Sequence, residues 1–168
     1  MSKVIFPFQS ECIRVLGNPS NSTETGFNMA WFHSNVVYVA CPWQLTDYKH
    51  HFGHIAIHKF FASSLAEILG AIWEGAGKSQ EKIDALKYNV FSGSACYRNM
   101  RTHHSLSMHA FASAIDFDAP DNMLGSARHL FKPDDLLPVK FKEAGWTRGM
   151  DWQNNSVDAM HFQGPRVG

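Results

Sequence analysis

Between Ile55 and Glu74 the apolar residues Ile57, Phe60, Phe61, Leu65, Ile68, Leu69 and Ile72 recur at three- and four-residue steps, which predicts an amphipathic helix with a wide core face. Gly75 and Gly77 end it. Upstream, Asn35 to Cys41 is short and β-branched, bounded by Ser34 and Pro42, and reads as a buried strand that the proline stops. Period two returns at Ala114 to Asp118, where Ala114, Asp116 and Asp118 would face one way and Ile115 and Phe117 the other. Asp116 would thereby face a cleft while its neighbours anchor the core.

The remaining chain reads as connections and short elements. Residues 17–27 are a polar loop of turn formers. A short helix is expected within 79–88, and extended chain over 90–97 delivers Arg98 and Arg101 to a loop carrying His103 and His104. Ala119 to Asn122 is a turn, and 125–144 an irregular or helical insertion whose last part, from Pro138, is a short helix closing on Gly145. After a loop over 145–152, Met160 to Phe162 is a strand that turns His161 inward, with Met160 and Phe162 packed behind it.

Composition narrows the class. The 168 residues fit one domain, and 45% hydrophobic against 18% charged residues is a globular balance. Lys plus Arg and Asp plus Glu are equal at 15 each, with no basic stripe, so no nucleic-acid partner is expected. Cys12, Cys41 and Cys96 are odd in number and widely spaced, which disfavours a disulfide framework or a cysteine zinc knuckle and suits synthesis in a reducing compartment. The first residues do not read as a signal peptide, and no apolar run reaches the roughly twenty residues that span a bilayer. The expectation is a protein made in the cytoplasm, without membrane insertion and as a monomer.

Ten histidines make position the deciding matter. His50, His54 and His58 are four apart and could share a helical face, but Gly53 interrupts them and no carboxylate base lies between. A polar rim is the favoured reading there. A stronger set is His109, Asp116 and His161, two imidazoles and a carboxylate able to converge on one metal ion. Three such ligands leave a fourth tetrahedral position for water, which distinguishes a catalytic from a structural zinc.

The segment Ser107-x-His109-x-x-x-x-Ala114-x-Asp116, followed by Trp152 and Asp158-x-x-His161, resembles the zinc peptidases of the D-alanyl-D-alanine carboxypeptidase family. That family also includes D,D-dipeptidases and phage endolysins cutting the L-alanyl-D-glutamate bond of peptidoglycan. The match runs over about 96–163. Its pattern is Ser-x-His-x-x-Gly-x-Ala-x-Asp with an upstream arginine, and Ala112 stands at the glycine position. Alanine would be strained if that residue needs positive φ.

The resemblance implies one zinc ion (Zn2+) held by His109, Asp116 and His161. Asp158 would be general base, Arg98 would polarise the scissile carbonyl or hold a substrate carboxylate with Arg101 as second candidate, and Ser107 would orient a ligand or bind the substrate. The substrate implied is a peptidoglycan stem peptide, cut at L-alanyl-D-glutamate, with D-alanyl-D-alanine carboxypeptidase or dipeptidase activity as the alternative. A protein of this kind would reach the wall after release, as a holin allows for phage endolysins. From another class, a non-catalytic zinc-stabilised wall-binding or virion module is the competing reading. The expected fold is α+β over 1–168: a small antiparallel sheet lining a zinc cleft, with helices led by 55–74 on its other face.

Overall fold

The computed structural model describes residues 5–101, 104–153 and 156–168, so His103 lies outside the described part. The fold is mixed helix and strand, with small antiparallel sheets and helices against them. Helix α1 (Cys12–Leu16) stops at Gly17, and α2 (Met29–Asn35) is capped by the Asn28 side chain, which accepts hydrogen bonds from the Ala30 and Trp31 amides. Strands β1 (Val36–Thr46) and β2 (His51–His58) form an antiparallel hairpin.

Two expectations are corrected here. Pro42 does not end its strand, because the pairing register shifts between Ala40 and Leu45, and the proline sits in that irregular stretch where its missing N–H breaks no ladder bond. The expected helix over 55–74 starts only at Ala62. Ile55 and Ile57 are buried on alternate positions of β2, a period of two that the three- and four-residue steps also accommodate over so short a run. His58 makes the switch: its Nδ1 accepts from the Phe60 amide and opens a 3-10 turn, Lys59–Phe61, that leads into α3 (Ala62–Gly75).

Helix α3 buries Leu65, Ile68, Leu69 and Ile72. It packs chiefly on β1 and on α6 (Leu136–Glu143), where the expectation had it against the sheet bearing the site. Between them lies the short α4 (Gln80–Ala85). No described helix is long and apolar enough to cross a membrane.

The second sheet has β3 (Phe91–Gly93), β4 (Ala114–Phe117), β5 (Thr147–Arg148) and β6 (His161–Gln163) in the order β3-β4-β6-β5, antiparallel throughout. Residues 145–152, expected as a loop, thus contain β5 and a 3-10 turn. Ile115, Phe117 and Phe162 enter the main core, where the Phe141 and Phe162 rings stack at 4.5 Å. Asp118 departs from the expected alternation. It takes left-handed backbone angles (φ 48°, ψ 55°), its carboxylate accepts from Asn122 Nδ2 at 2.9 Å, and it starts a single helical turn, α5 (Ala119–Asn122), in place of a plain turn.

Candidate metal centre

Strand pairing supplies two of the three central residues: Asp116 on β4 stands directly opposite His161 on β6. His109 arrives from a tight turn, in which the amides of Ala110 and Ala112 donate to the carbonyls of Ser107 and His109 and Ser107 Oγ accepts from the His109 amide. That turn ends on Ala112 with φ 49°. A left-handed alanine costs on the order of 1–2 kcal/mol, but its methyl is fully buried with Trp31 and Val36, contacts that a glycine would forgo.

The three donor atoms form a close triangle. His109 Nε2 and His161 Nδ1 are 3.2 Å apart, and they lie 3.2 and 2.9 Å from the same oxygen, Asp116 Oδ1. All three residues are buried. Each ring is set from outside. His109 Nδ1 lies 2.7 Å from the Ser94 carbonyl, an acceptor only, so this nitrogen carries the proton. His161 Nε2 lies 2.9 Å from Gln163 Oε1, and Gln163 Nε2 donates to the Pro165 carbonyl, which leaves Oε1 as the end that faces the histidine.

With the outward nitrogens committed as donors, the inward atoms are three lone-pair bearers facing one another. A shared proton or a metal cation among them relieves the repulsion. Tetrahedral zinc with bonds of about 2.0–2.1 Å separates its ligand atoms by about 3.3 Å, close to the observed triangle, so the donor set fits one such ion. The charge balance agrees. Burial works to raise the Asp116 carboxyl, yet hydrogen bonds to His109 and His161 hold it well below the usual carboxylate range. Burial works to lower His161, and the bond to Asp116 reverses this to a net rise. The site attracts positive charge.

Asp158 precedes β6 by one turn, its carbonyl accepting from the His161 amide and its own amide donating to the Gly149 carbonyl. Its side chain is 8% exposed, and Oδ1 has no partner among the described residues. Burial pushes its carboxyl up to about 6, with the His161 charge opposing and the Asp116 charge adding. Gly149 permits this packing: a Cβ there would collide with the Asp158 carbonyl and press on the Cβ atoms of Asp158 and His161 at 3.0 and 3.1 Å.

Arg98, Arg101, Ser107, Asp158 and His161 all line one cavity of about 160 Å³. Neither guanidinium is in an ion pair among the described residues. Trp152 lines the same cavity, its ring 5.3 Å from that of His161 and its indole N–H without a described partner. Met160, expected behind the strand, lines the cavity too.

The sequence reading missed Gln163 and the Ser94 carbonyl. Gln163 had a signal, since two residues along a strand from His161 means the same face. Nothing in the sequence marked a backbone carbonyl. The run His50, His54, His58 does not assemble: His50 pairs with Asp47 on an exposed turn, His54 is exposed on β2, and buried His58 lies against the Leu16 carbonyl. Among the described residues only His109, Asp116 and His161 form a group able to hold a metal.

Two imidazoles and one carboxylate able to hold one metal ion, with an ionisable carboxyl on the adjoining cavity, are the donor set that mononuclear hydrolytic zinc sites use. Residues 101–164 match the family model described as D-alanyl-D-alanine carboxypeptidase. Over that stretch the chain is similar to zinc peptidases, a similarity that supports, at family level, a zinc metallopeptidase acting on peptidoglycan. No curated protein and no solved structure matches the chain.

Proposed function

We propose that the protein is a zinc peptidase that hydrolyses the L-alanyl-D-glutamate bond of the peptidoglycan stem peptide. The observation that carries the hydrolytic role is Asp158, a buried carboxyl that lines the cavity beside the donor triangle and whose Oδ1 has no partner among the described residues. His109, Asp116 and His161 would hold the ion. When bound, zinc supplies the Lewis acidity that brings the pKa of a water towards about 7.

The Asp158 carboxylate takes a proton from the attacking water, whose oxygen adds to the scissile carbonyl carbon. The C–N bond then breaks as Asp158 returns the proton to the leaving amine. Arg98 and Arg101 recognise a carboxylate next to that amine. Such a carboxylate exists in L-alanyl-D-glutamate, as the free α-carboxyl of D-glutamate, and equally in D-alanyl-D-alanine, as the chain terminus. The second reading, a D-alanyl-D-alanine carboxypeptidase or dipeptidase, is favoured by the description of the matching family.

Mass analysis of digested sacculi separates them. New N-terminal D-glutamate is the expected product, and released D-alanine would replace the first reading with the second. A zinc-loaded preparation that hydrolyses neither bond would favour the non-catalytic module.

A further inference from the structure

A second, larger cavity adjoins the metal cleft. It measures about 560 Å³, within the range of about 300–1,000 Å³ common to small-molecule sites, whereas the metal cavity measures about 160 Å³. The two share Gln9, Met100 and Met108 as walls, so the larger space adjoins the metal cleft. One side of that space is the N-terminal segment, with Asn18, Ser20 and Glu24, and the other is the stretch that carries Tyr97 and Asn99. Tyr97 donates to Ser20 Oγ at 2.8 Å and ties the two sides together. The segment is itself held by Asn21, whose side chain accepts from the Thr23 and Thr25 amides.

The chemistry of this lining differs from that of the metal cavity. It sets carboxamides, hydroxyls and His104 beside apolar side chains and the rings of Tyr97 and Phe111, with Glu24 as its one carboxylate and neither lysine nor arginine. The carboxylate-bearing part of a stem peptide would find neither a guanidinium nor an ammonium here, only the His104 imidazole. A neutral polyhydroxyl ligand with acetamido groups would find hydrogen-bonding partners of both kinds and an aromatic edge.

We propose that this cavity is a glycan subsite that holds the N-acetylated amino sugar from which the stem peptide hangs. The proposal rests on the L-alanyl-D-glutamate reading and deepens it. One alanine separates that bond from the lactyl group of the sugar, a span of roughly 3.3–3.6 Å per extended residue, so the sugar falls within reach of the adjoining cavity. For cleavage at D-alanyl-D-alanine the sugar would be about four residues away, roughly 14 Å, and a subsite sharing walls with the metal cleft would serve no purpose.

The test uses the full chain loaded with zinc. Titration with the disaccharide N-acetylglucosaminyl-N-acetylmuramic acid, carrying no peptide, is expected to give saturable binding by calorimetry, weakened at least fivefold by Asn99→Ala. The sugar-linked tripeptide is expected to be cut with kcat/KM at least tenfold above the free tripeptide, and Asn99→Ala to bring that ratio towards one. Absence of disaccharide binding, binding that Asn99→Ala leaves intact, or a wild-type ratio of one overturns the subsite even if D-glutamate termini appear. Disaccharide binding that depends on Asn99 without new D-glutamate termini upholds the subsite and overturns the bond assignment instead.

Discussion

The imidazole of His161 donates its Nε2–H to Gln163 Oε1 across 2.9 Å, from two inward positions of one strand, and the Pro165 carbonyl pins the amide that accepts it. This bond decides which nitrogen of His161 faces Asp116. Gln163→Leu removes the acceptor at similar size, so metal affinity should fall by about 10–100-fold. Gln163→Glu retains an acceptor and should bind like the wild type. Competition against a chromogenic zinc chelator reads both, and an unchanged affinity in Gln163→Leu would show the amide to be irrelevant to the ion.

His109→Ala deletes one corner of the donor triangle. The purified variant should lose stoichiometric zinc. A ligand at about 100 times its Kd stabilises the folded state by about 2.7 kcal/mol, so chelator should lower the wild-type Tm by several degrees and leave that of His109→Ala in place. A chelator-insensitive wild type would remove the metal from the account of this site.

Asp158 carries a stability cost with a definite sign. Its folded-state pKa is raised by burial to about 6 from an ordinary 3.8, so the folded chain binds the extra proton between those values. The stabilising contribution is complete below the lower value and is lost as pH rises through about 6. A shift of that size is worth at most about 3 kcal/mol. On chelator-treated protein, Asp158→Asn should therefore melt above wild type at pH 8 and level with it at pH 4. The same variant, reloaded with zinc, should show no turnover. Equal melting differences at both pH values would contradict the buried-carboxylate argument, and wild-type turnover would remove Asp158 as the base.

Gly149→Ala places a methyl against the Asp158 carbonyl and the Cβ of His161. Backbone must move to admit it. Activity should fall by more than tenfold and stability by about 1–3 kcal/mol, the range for overpacking. Serial melting and sacculus-clearing assays on one preparation check both, and a fully active variant would mean that the contact relaxes without disturbing the site.

The sequence carried the site better than the fold. Asp116 and His161 meet because period-two alternation around each translates directly into facing positions on paired strands, whereas His109 comes in on a turn. The helix start was misplaced because Ile55 and Ile57 satisfy a helical stripe and a strand alternation equally, and only the side-chain cap at His58 distinguishes them. Pro42 misled for a related reason: a proline stops a paired strand but not a bulged one, and pairing register is not a local property. Gln163 was legible from strand parity. The Ser94 carbonyl was not, since its position depends on how residues 94–109 fold back, where the Cys96 amide bonds the His109 carbonyl.

The pairing of Asp116 with His161 joins strands 45 positions apart in sequence, and His109 is 52 from His161. No local piece of the chain can therefore assemble the triangle; a partly folded molecule with its helices formed but β6 undocked would have one imidazole and one carboxylate and a weak grip on any ion. Tight binding of one metal ion would thus report completed tertiary structure, because only the docked β6 closes the donor set.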